Sequence, residues 1–253
     1  MRFVNKTNPI KSLRYLFQAD LNVLIRNVRA LFLSVLIPVI LLFAYSSNKA
    51  QARLGGPSYI FAISITIGII SSSLQGYTLT LARDRDGGVF QRLRVTPAPG
   101  WAIMVSRLLV QVIANLVIAV AVLVVGGIIY HVNLTVLDYI LVLFIATIGG
   151  AVFLSIGQAI VGLLKSAETV NAVVRIVFIA LFLLGFLGIS GVFGDVLQQV
   201  AKWTPLGTVM TLFQGALSAT SWNQDTTYAL LANLGYIIAF SFIGIRWFKW
   251  DSQ

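Results

Sequence analysis

Long apolar stretches alternate with short polar segments along this chain. Six stretches approach or exceed the roughly 20 apolar residues that a helix needs to cross the hydrocarbon core of a membrane. They cover residues 30–46, 59–82, 108–129, 139–164, 170–189 and 228–245. A helix satisfies every backbone polar group within its own segment, which lipid requires. The pattern therefore predicts an all-α membrane protein with six transmembrane helices. The fifth stretch is the weakest because Asn171 and Arg175 interrupt it, and we expect Arg175 to reach outward to the interface.

Residues 10–29, just before the first stretch, predict an amphipathic helix. Apolar residues recur with i, i+3, i+4 spacing at Leu13, Leu16, Phe17, Leu21, Leu24, Ile25 and Val28. The other face carries Lys11, Arg14, Gln18, Asn22, Arg26 and Arg29. An apolar face opposite a basic one is typical of a helix that lies in the headgroup plane of a membrane. We therefore expect an interfacial helix here.

The region at 192–219 is too apolar for a plain loop. Two helical stripes flank Trp203-Thr204-Pro205, and neither is long enough to cross a membrane. This predicts a short re-entrant helical hairpin on the extracellular side before the last span, a structure that is tolerated where protein buries the turn. A cap that lies on the outer membrane surface is the alternative.

Composition excludes a water-soluble fold. Of 253 residues, 58% are hydrophobic and only 10% are charged, whereas soluble domains carry about 25% charged residues. The net charge of +10 does not indicate nucleic-acid binding, because the basic residues lie in clusters between apolar runs. No Pro-rich or Gly/Ser-rich linker divides the chain, so residues 1–253 are interpreted as a single transmembrane domain. The absence of cysteine excludes disulfides and thiolate chemistry.

The basic residues are distributed unequally between the two sides that the six spans define. Fifteen lie on the side of the amino terminus and three, Lys49, Arg53 and Lys202, on the other. Cytoplasmic loops carry the excess of Lys and Arg. Both termini are therefore predicted to be cytoplasmic.

The most informative polar segment is 83–97, between the second and third spans. Asp86 can cap a short helix, Phe90 and Leu93 share one face, and Thr96-Pro97 ends it. The result is a charged helix of about two turns that carries an apolar knob. A solvated connector whose charges only enforce topology is the alternative.

This segment resembles the cytoplasmic segment of type-2 ABC exporter permeases, whose pattern is approximately Arg-Glu-Arg-Glu-x-Gly-Thr-Leu-Glu-x-Leu-Arg-x-Thr-Pro. The positions that match are Arg83, Arg85, Gly88, Leu93, Arg94, Thr96 and Pro97. Asp84 and Asp86 replace Glu, Val89-Phe90 replaces Thr-Leu, and Gln91 replaces Glu. The likeness extends to the interfacial helix, the six spans and a hairpin with Pro205-Leu206.

The resemblance implies a permease subunit that dimerises, with itself or a related chain, and rests on two copies of an ABC ATP-binding subunit. Residues 84–93 would act as the coupling helix, and the ATPase-coupling residues would be Arg83, Asp84, Arg85, Asp86, Gly88, Phe90, Arg92, Leu93, Arg94, Thr96 and Pro97. The first, second and fifth spans would line the path. Such an exporter would lie in the plasma membrane of a prokaryotic cell, surrounded by lipid, and move a hydrophobic or amphipathic substrate such as a drug, antibiotic or lipid-like molecule outward.

The chain lacks the residues that would power transport by itself. It has no G-x-x-x-x-G-K-[ST] phosphate loop, so ATP and Mg are expected in the partner and no cofactor or metal in this chain. No Asp, Glu or His lies in the middle of a span, which argues against an ion-coupled carrier. An ATP-independent carrier or channel remains the alternative function.

Polar and aromatic residues within the spans are candidates for a substrate path. They are Gln75, Gln111, Asn115, Gln158, Phe43 and Phe182. The amides have an alternative interpretation as interhelical hydrogen-bonding groups, each bond contributing about 0.6 kcal/mol.

Overall fold

The computed structural model of the chain describes residues 9–26, 28–47, 56–94, 99–132, 134–187, 194–217 and 222–247. Every regular element in these ranges is a helix. In chain order they are α1 Pro9–Arg26, α2 Val28–Ala44, α3 Pro57–Asp86, α4 Val89–Arg94, α5 Gly100–Tyr130, α6 Val136–Leu163, α7 Ala167–Phe182, α8 Asp195–Lys202, α9 Pro205–Leu217 and α10 Gln224–Trp247. Two stretches are π-helical, Ser71–Tyr77 inside α3 and Leu183–Leu187 after α7.

Five helices in the described ranges are long and apolar enough to cross a membrane. They are α3, α5, α6, α10 and α7 as extended to Gly185. These helices contain most of the second to sixth predicted spans. The first predicted span, 30–46, lies on α2, whose apolar part Phe32–Ala44 falls short of that length. A total of six crossings therefore stays a prediction.

Helix α3 lies at the centre of the bundle. Its side chains from Tyr59 to Ile70 are all buried, and α2, α5, α6 and α9 pack against it. A helix that is apolar on every side is expected in such a core. In contrast, α7 and α10 present large apolar side chains outward, such as Ile176 at 66% and Ile238 at 71% exposure. These two helices form part of the rim of the bundle.

Close approach of helices depends on glycines of α6. A Cβ atom on Gly157 would lie 2.0 Å from Thr78 Oγ1 on α3, and one on Gly150 would lie 2.3 Å from Asn115 Nδ2 on α5. Both neighbours are fully buried. Small residues let helix backbones approach each other in a membrane, where packing replaces the hydrophobic drive to associate.

Two short helices, α8 and α9, lie where the hairpin is predicted, although residues 192–193 and 218–219 of that prediction lie outside the described ranges. Thr204 shapes the turn between them, because its Oγ1 donates to Ala201 O at 2.7 Å and accepts from Gly207 N at 3.1 Å. Pro205 then begins α9, a position where its missing N–H costs nothing.

The tip of this hairpin lies beside the middle of α10. Tyr236 donates its hydroxyl to the carbonyl of Trp203 at 2.5 Å, and Thr208 Oγ1 donates to Asn233 Oδ1 at 3.2 Å. Both partners lie well inside Gln224–Trp247. The tip therefore lies beside the middle of α10, and a re-entrant position of the hairpin in a bilayer stays a prediction.

Helix α1 packs along α5. Its predicted apolar face is half-buried at Leu13, Leu16, Phe17, Leu21 and Leu24, whereas Ile25 is exposed. Lys11 and Arg14 on the basic face are exposed. The predicted helix is therefore present as α1, and its interfacial amphipathic role in the headgroup plane stays a prediction.

Replacing Gly157 with Ala tests the α6–α3 contact. The added methyl overlaps the buried Thr78 hydroxyl, so we expect a loss of about 1–3 kcal/mol in the free energy of unfolding. The matched control is Gly235→Ala on α10, where a Cβ meets nothing within 4 Å. Alanine favours a helix over glycine, so this control is expected to be neutral or slightly stabilising. Thermal unfolding in detergent measures both, and equal stability of the two variants would contradict the packing argument.

Candidate coupling site

The segment between α3 and α4 reverses the chain at two glycines. Helix α3 ends at Asp86, and Gly87 N donates to Arg83 O at 2.8 Å. Gly88 follows with φ +70°, a left-handed conformation that residues with a Cβ rarely adopt. Helix α4 starts directly afterwards, with Arg92 N donating to Gly88 O at 3.1 Å. The turn therefore folds α4 back against the end of the bundle.

Arg85, on the last turn of α3, holds the carboxyl end of α6. Its Nη1 donates to Val161 O at 2.6 Å and to Leu164 O at 2.8 Å, and its Nη2 donates to Lys165 O at 2.8 Å. The residue is only 4% exposed. The last carbonyls of a helix have no intrahelical partner and carry the negative end of its dipole. A guanidinium here supplies both the donors and the charge that these groups require.

Asp86, the next residue, holds the start of α7. Its Oδ2 accepts from Ala167 N at 2.6 Å, and its Oδ1 lies 3.3 Å from Arg85 Nε. Ser166 completes the cap by accepting from Thr169 N at 3.2 Å. The dipeptide Arg85-Asp86 therefore ties α3 to both sides of the turn between α6 and α7. We name this contact the α3 clamp.

A second cluster fixes α4 to the beginning of α5. Arg107 forms an ion pair with Asp84, the two side chains being 15% and 27% exposed. The Arg107 guanidinium also lies 5.0 Å from the centroid of the Phe90 ring, within the range of a cation–π contact. Phe90 is 1% exposed.

The apolar knob that the sequence predicts on α4 faces the bundle, and its part in coupling stays a prediction. Phe90 belongs to the core, and Leu93 packs against that core while remaining partly buried. The sequence pattern placed both residues on one face of α4, and this face points at the bundle. There the Phe90 ring contacts the Arg107 guanidinium and both residues pack with the apolar core. Phe90 therefore anchors α4.

The exposed side chains of the segment are different ones. Arg83, Gln91 and Arg92 are exposed, and Asp86 is 37% exposed. Thr96 and Pro97 lie outside the described residues, as does the side chain of Arg94. The outer surface of the segment therefore presents mainly positive charge.

The predicted path residues separate into two groups. Asn115 is fully buried, where its Nδ2 donates to Ser73 Oγ at 2.9 Å, and Gln158 Nε2 donates to the Tyr77 hydroxyl at 3.3 Å. These are interhelical bonds, as the alternative interpretation of the amides expects, and a role of these residues in a path stays a prediction. By contrast, Gln111 lines a cavity and donates to Ser72 Oγ at 2.6 Å.

The remaining path candidates lie elsewhere on the bundle. Gln75 is half-buried in the π-helical part of α3. Phe43 is 60% exposed near the end of α2, and Phe182 stacks on Phe178 with ring centroids 6.4 Å apart. The described residues therefore do not bring the six candidates together in one site.

Sequence reasoning missed two residues that the structure places at this end of the bundle, Asp20 and Ser106. Ser106 on α5 donates its hydroxyl to the Asp20 carboxylate on α1. A signal was available, because Asp20 is four residues after Leu16 and four before Leu24 and so interrupts the apolar face of its helix.

The described ranges contain no group of three or more His, Cys, Asp or Glu side chains that could hold a metal ion. What these ranges do contain is a set of apolar helices that can cross a membrane, joined at one end by the α3 clamp. This architecture defines a multi-pass membrane protein.

Comparison with known proteins gives the family. The family model of the ABC-2 type transporters matches residues 11–218, most of the chain, so this chain belongs to the ABC-2 type transporter family. It is a membrane permease component of an ABC transporter. It is also 19% identical over 192 residues to the Bacillus subtilis (strain 168) protein named "Putative transport permease YvfS", a match that covers 74% of this chain and 78% of that protein.

Replacing Arg85 with Gln tests the α3 clamp. The variant leaves the carbonyls of Val161, Leu164 and Lys165 without their charged donor, so we expect a loss of about 3 kcal/mol in the free energy of unfolding. The control is Arg83→Gln, which removes an exposed arginine two residues earlier and should change stability by less than about 0.5 kcal/mol. Thermal unfolding of both purified variants measures their losses of stability. Similar losses in the two variants would show that the α3 clamp contributes little.

Proposed function

We propose that this permease is the membrane subunit of an ATP-driven exporter. Two copies, or one copy and a related chain, would form the membrane part, and two copies of a separate ABC ATP-binding subunit would lie against their cytoplasmic side. ATP and Mg would be bound by that partner. The complex would lie in the plasma membrane with both termini of this chain in the cytoplasm, as the distribution of basic residues indicates.

The observation that carries this proposal is the α3 clamp. The exposed face of α4 lies only a few residues after Arg85-Asp86, and these two residues are bonded to the ends of α6 and α7. A force applied to α4 would therefore be transmitted directly to α3, α6 and α7. A mere connector between two spans has no need of such bonds.

The contact of α4 with α5 also supports a role of this segment in coupling. Asp84, Phe90 and Arg107 fix α4 on the first turns of α5, so the segment is attached to two spans instead of hanging between them. A segment that transmits movement must be rigidly attached, because a flexible loop would absorb the movement of the ATP-binding subunit.

The substrate would be hydrophobic or amphipathic. In the proposed mechanism, ATP-driven closure of the partner would push α4 and rock the two permeases against each other. As in the family that the chain resembles, α2, α3 and α7 would line the path. Movement outward from the cytoplasm or the inner leaflet is part of this proposal.

Reconstitution separates this proposal from an ATP-independent carrier or channel. The tagged permease, purified from its native membrane, should bring an ATP-binding subunit with it, and the complex in liposomes should transport only when ATP is supplied. Transport by the permease alone under an ion gradient would overturn the proposal.

Reversing the charge of Arg92 tests the coupling surface. Because Arg92 is exposed on α4, Arg92→Glu should leave folding intact but weaken retention of the ATP-binding subunit by about tenfold or more, as loss of a complementary charge at an interface does. Lys11→Glu, the same charge change on the exposed face of α1, is the control and should retain the subunit. Pull-down at low and high salt measures both, and full retention by Arg92→Glu would remove this surface from the interface.

A further inference from the structure

A cavity of about 400 Å³ lies between α1, α2, α3 and α5 at the end of the bundle that carries the α3 clamp. This volume is within the range of sites that hold small organic molecules. Its apolar lining residues are Val23, Leu24, Leu81, Val110 and Ala114. Polar groups from α3 and α5 lie among them, including Ser72, Tyr77 and Gln111. The cavity therefore suits a molecule that is apolar over most of its body and polar at one point.

Three charged side chains line the cavity, and their charges do not cancel. Asp84 and Arg107 neutralise each other in their ion pair. The third, Asp20, accepts a hydrogen bond from Ser106, and within the described part of the chain no Lys or Arg forms an ion pair with it. Among the described residues, the cavity therefore carries one negative charge that has no ion-pair partner, in a chain whose net charge is +10.

The position of Asp20 makes this charge available to a ligand. Asp20 is half-buried on the apolar face of α1, between Leu16 and Leu24, and not on the exposed basic face with Lys11 and Arg14. A carboxylate has about four acceptor positions, and the Ser106 hydroxyl uses one of them. A partly desolvated carboxylate favours a cation more strongly than one in water does.

We propose that this cavity binds an amphipathic organic cation, with Asp20 as the counter-ion. The cationic centre lies at the Asp20 carboxylate, and the apolar body lies against Leu81, Val110 and Ala114. Tyr77 also lines this cavity. The proposal rests on the proposed export function in one respect, because it names the class of substrate that the exporter would take.

The opening of the cavity agrees with a ligand of this kind. Val23, on the α1 side, is 67% exposed, so a molecule can enter beside the interfacial helix. An amphipathic cation is concentrated at that depth, since its apolar body enters the lipid while its charge stays at the interface. The site lies within a single chain and so requires no second permease copy.

Binding of a cation and of an anion of the same shape tests the proposal. The full-length permease is placed in nanodiscs of phosphatidylcholine without the ATP-binding subunit. Binding of tetraphenylphosphonium and of tetraphenylborate is then measured by equilibrium dialysis, with empty nanodiscs as the blank. We expect saturable binding of the phosphonium to the permease and no saturable binding of the borate.

Asp20→Asn removes the charge and keeps an acceptor for the Ser106 hydroxyl, so the contact between α1 and α5 is retained. We expect it to weaken phosphonium binding by about tenfold, equivalent to one partly desolvated charge contact. Asp225→Asn is the matched control, because it removes an exposed carboxylate on α10 that pairs with Lys202. This control should bind the probe as the unmodified permease does.

A second variant tests the cavity independently of Asp20. Gly76 lines the cavity, and a Cβ there meets only Ser71 O at 3.7 Å, so the position accepts a Cβ and Gly76→Leu adds an apolar side chain to the cavity lining. We expect Gly76→Leu to fold normally and to abolish saturable binding. Unmodified binding in both Asp20→Asn and Gly76→Leu would overturn the proposal, as would equal binding of the borate.

The source of the cation is tested in the same assay. If phosphatidylethanolamine in the nanodisc displaces the probe from the unmodified permease, and this requires Asp20, the ammonium headgroup of a lipid is the occupant. Without such displacement, the occupant is a separate amphipathic cation. Because the assay contains no ATP-binding subunit, loss of probe binding leaves the coupling proposal intact, and failure of the subunit pull-down leaves the binding site intact.

Discussion

The structure depends on how the carbonyls at the end of α6 are satisfied. The connection to α7 is only three residues long, and in a membrane protein unsatisfied carbonyls at such a point are costly. Arg85, on the neighbouring helix α3, donates three hydrogen bonds of 2.6–2.8 Å to these carbonyls. Asp86 accepts a hydrogen bond from the first N–H of α7. Three spans are thereby joined at one end, and α4 leaves the bundle directly from this junction. The geometry of the proposed coupling site is thus a consequence of backbone hydrogen bonding.

Hydropathy predicted most of the helices because the length of a membrane helix follows from the thickness of the hydrocarbon. It also predicted two helices around Trp203 that are too short to cross, and α8 and α9 lie there, while a re-entrant position in a bilayer stays a prediction. Hydropathy could not predict the role of Arg85, because a count of basic residues does not distinguish one arginine of a loop from another. Only the three-dimensional structure shows that Arg85 is buried and that Arg83 is exposed. Phe90 shows the same limit, since amphipathic spacing marks an apolar face without saying whether the bundle or a partner covers it.

Gln111 and Asn115 show why a candidate site is harder to predict than a fold. They are one turn apart on the same face of α5, so their sequence positions are equivalent. Their surroundings differ because Gly150 admits the Asn115 amide against the backbone of α6, whereas a cavity lies beside Gln111. A single glycine on another helix thus decides that one amide holds two helices together and the other is accessible. Asp20 was predictable in principle, since an acid within an apolar stripe contradicts the pattern around it.

The contacts of the hairpin with α10 have a consequence for biosynthesis. Lys202, Trp203 and Thr208 all have partners on α10, namely Asp225, Tyr236 and Asn233. These partners follow them in the chain, so α8 and α9 leave the ribosome before the groups that satisfy them exist. Neither helix is long enough to be released into lipid as a span of its own. The hairpin therefore reaches its final place only when α10 has been synthesised, which makes the last helix the one that completes folding.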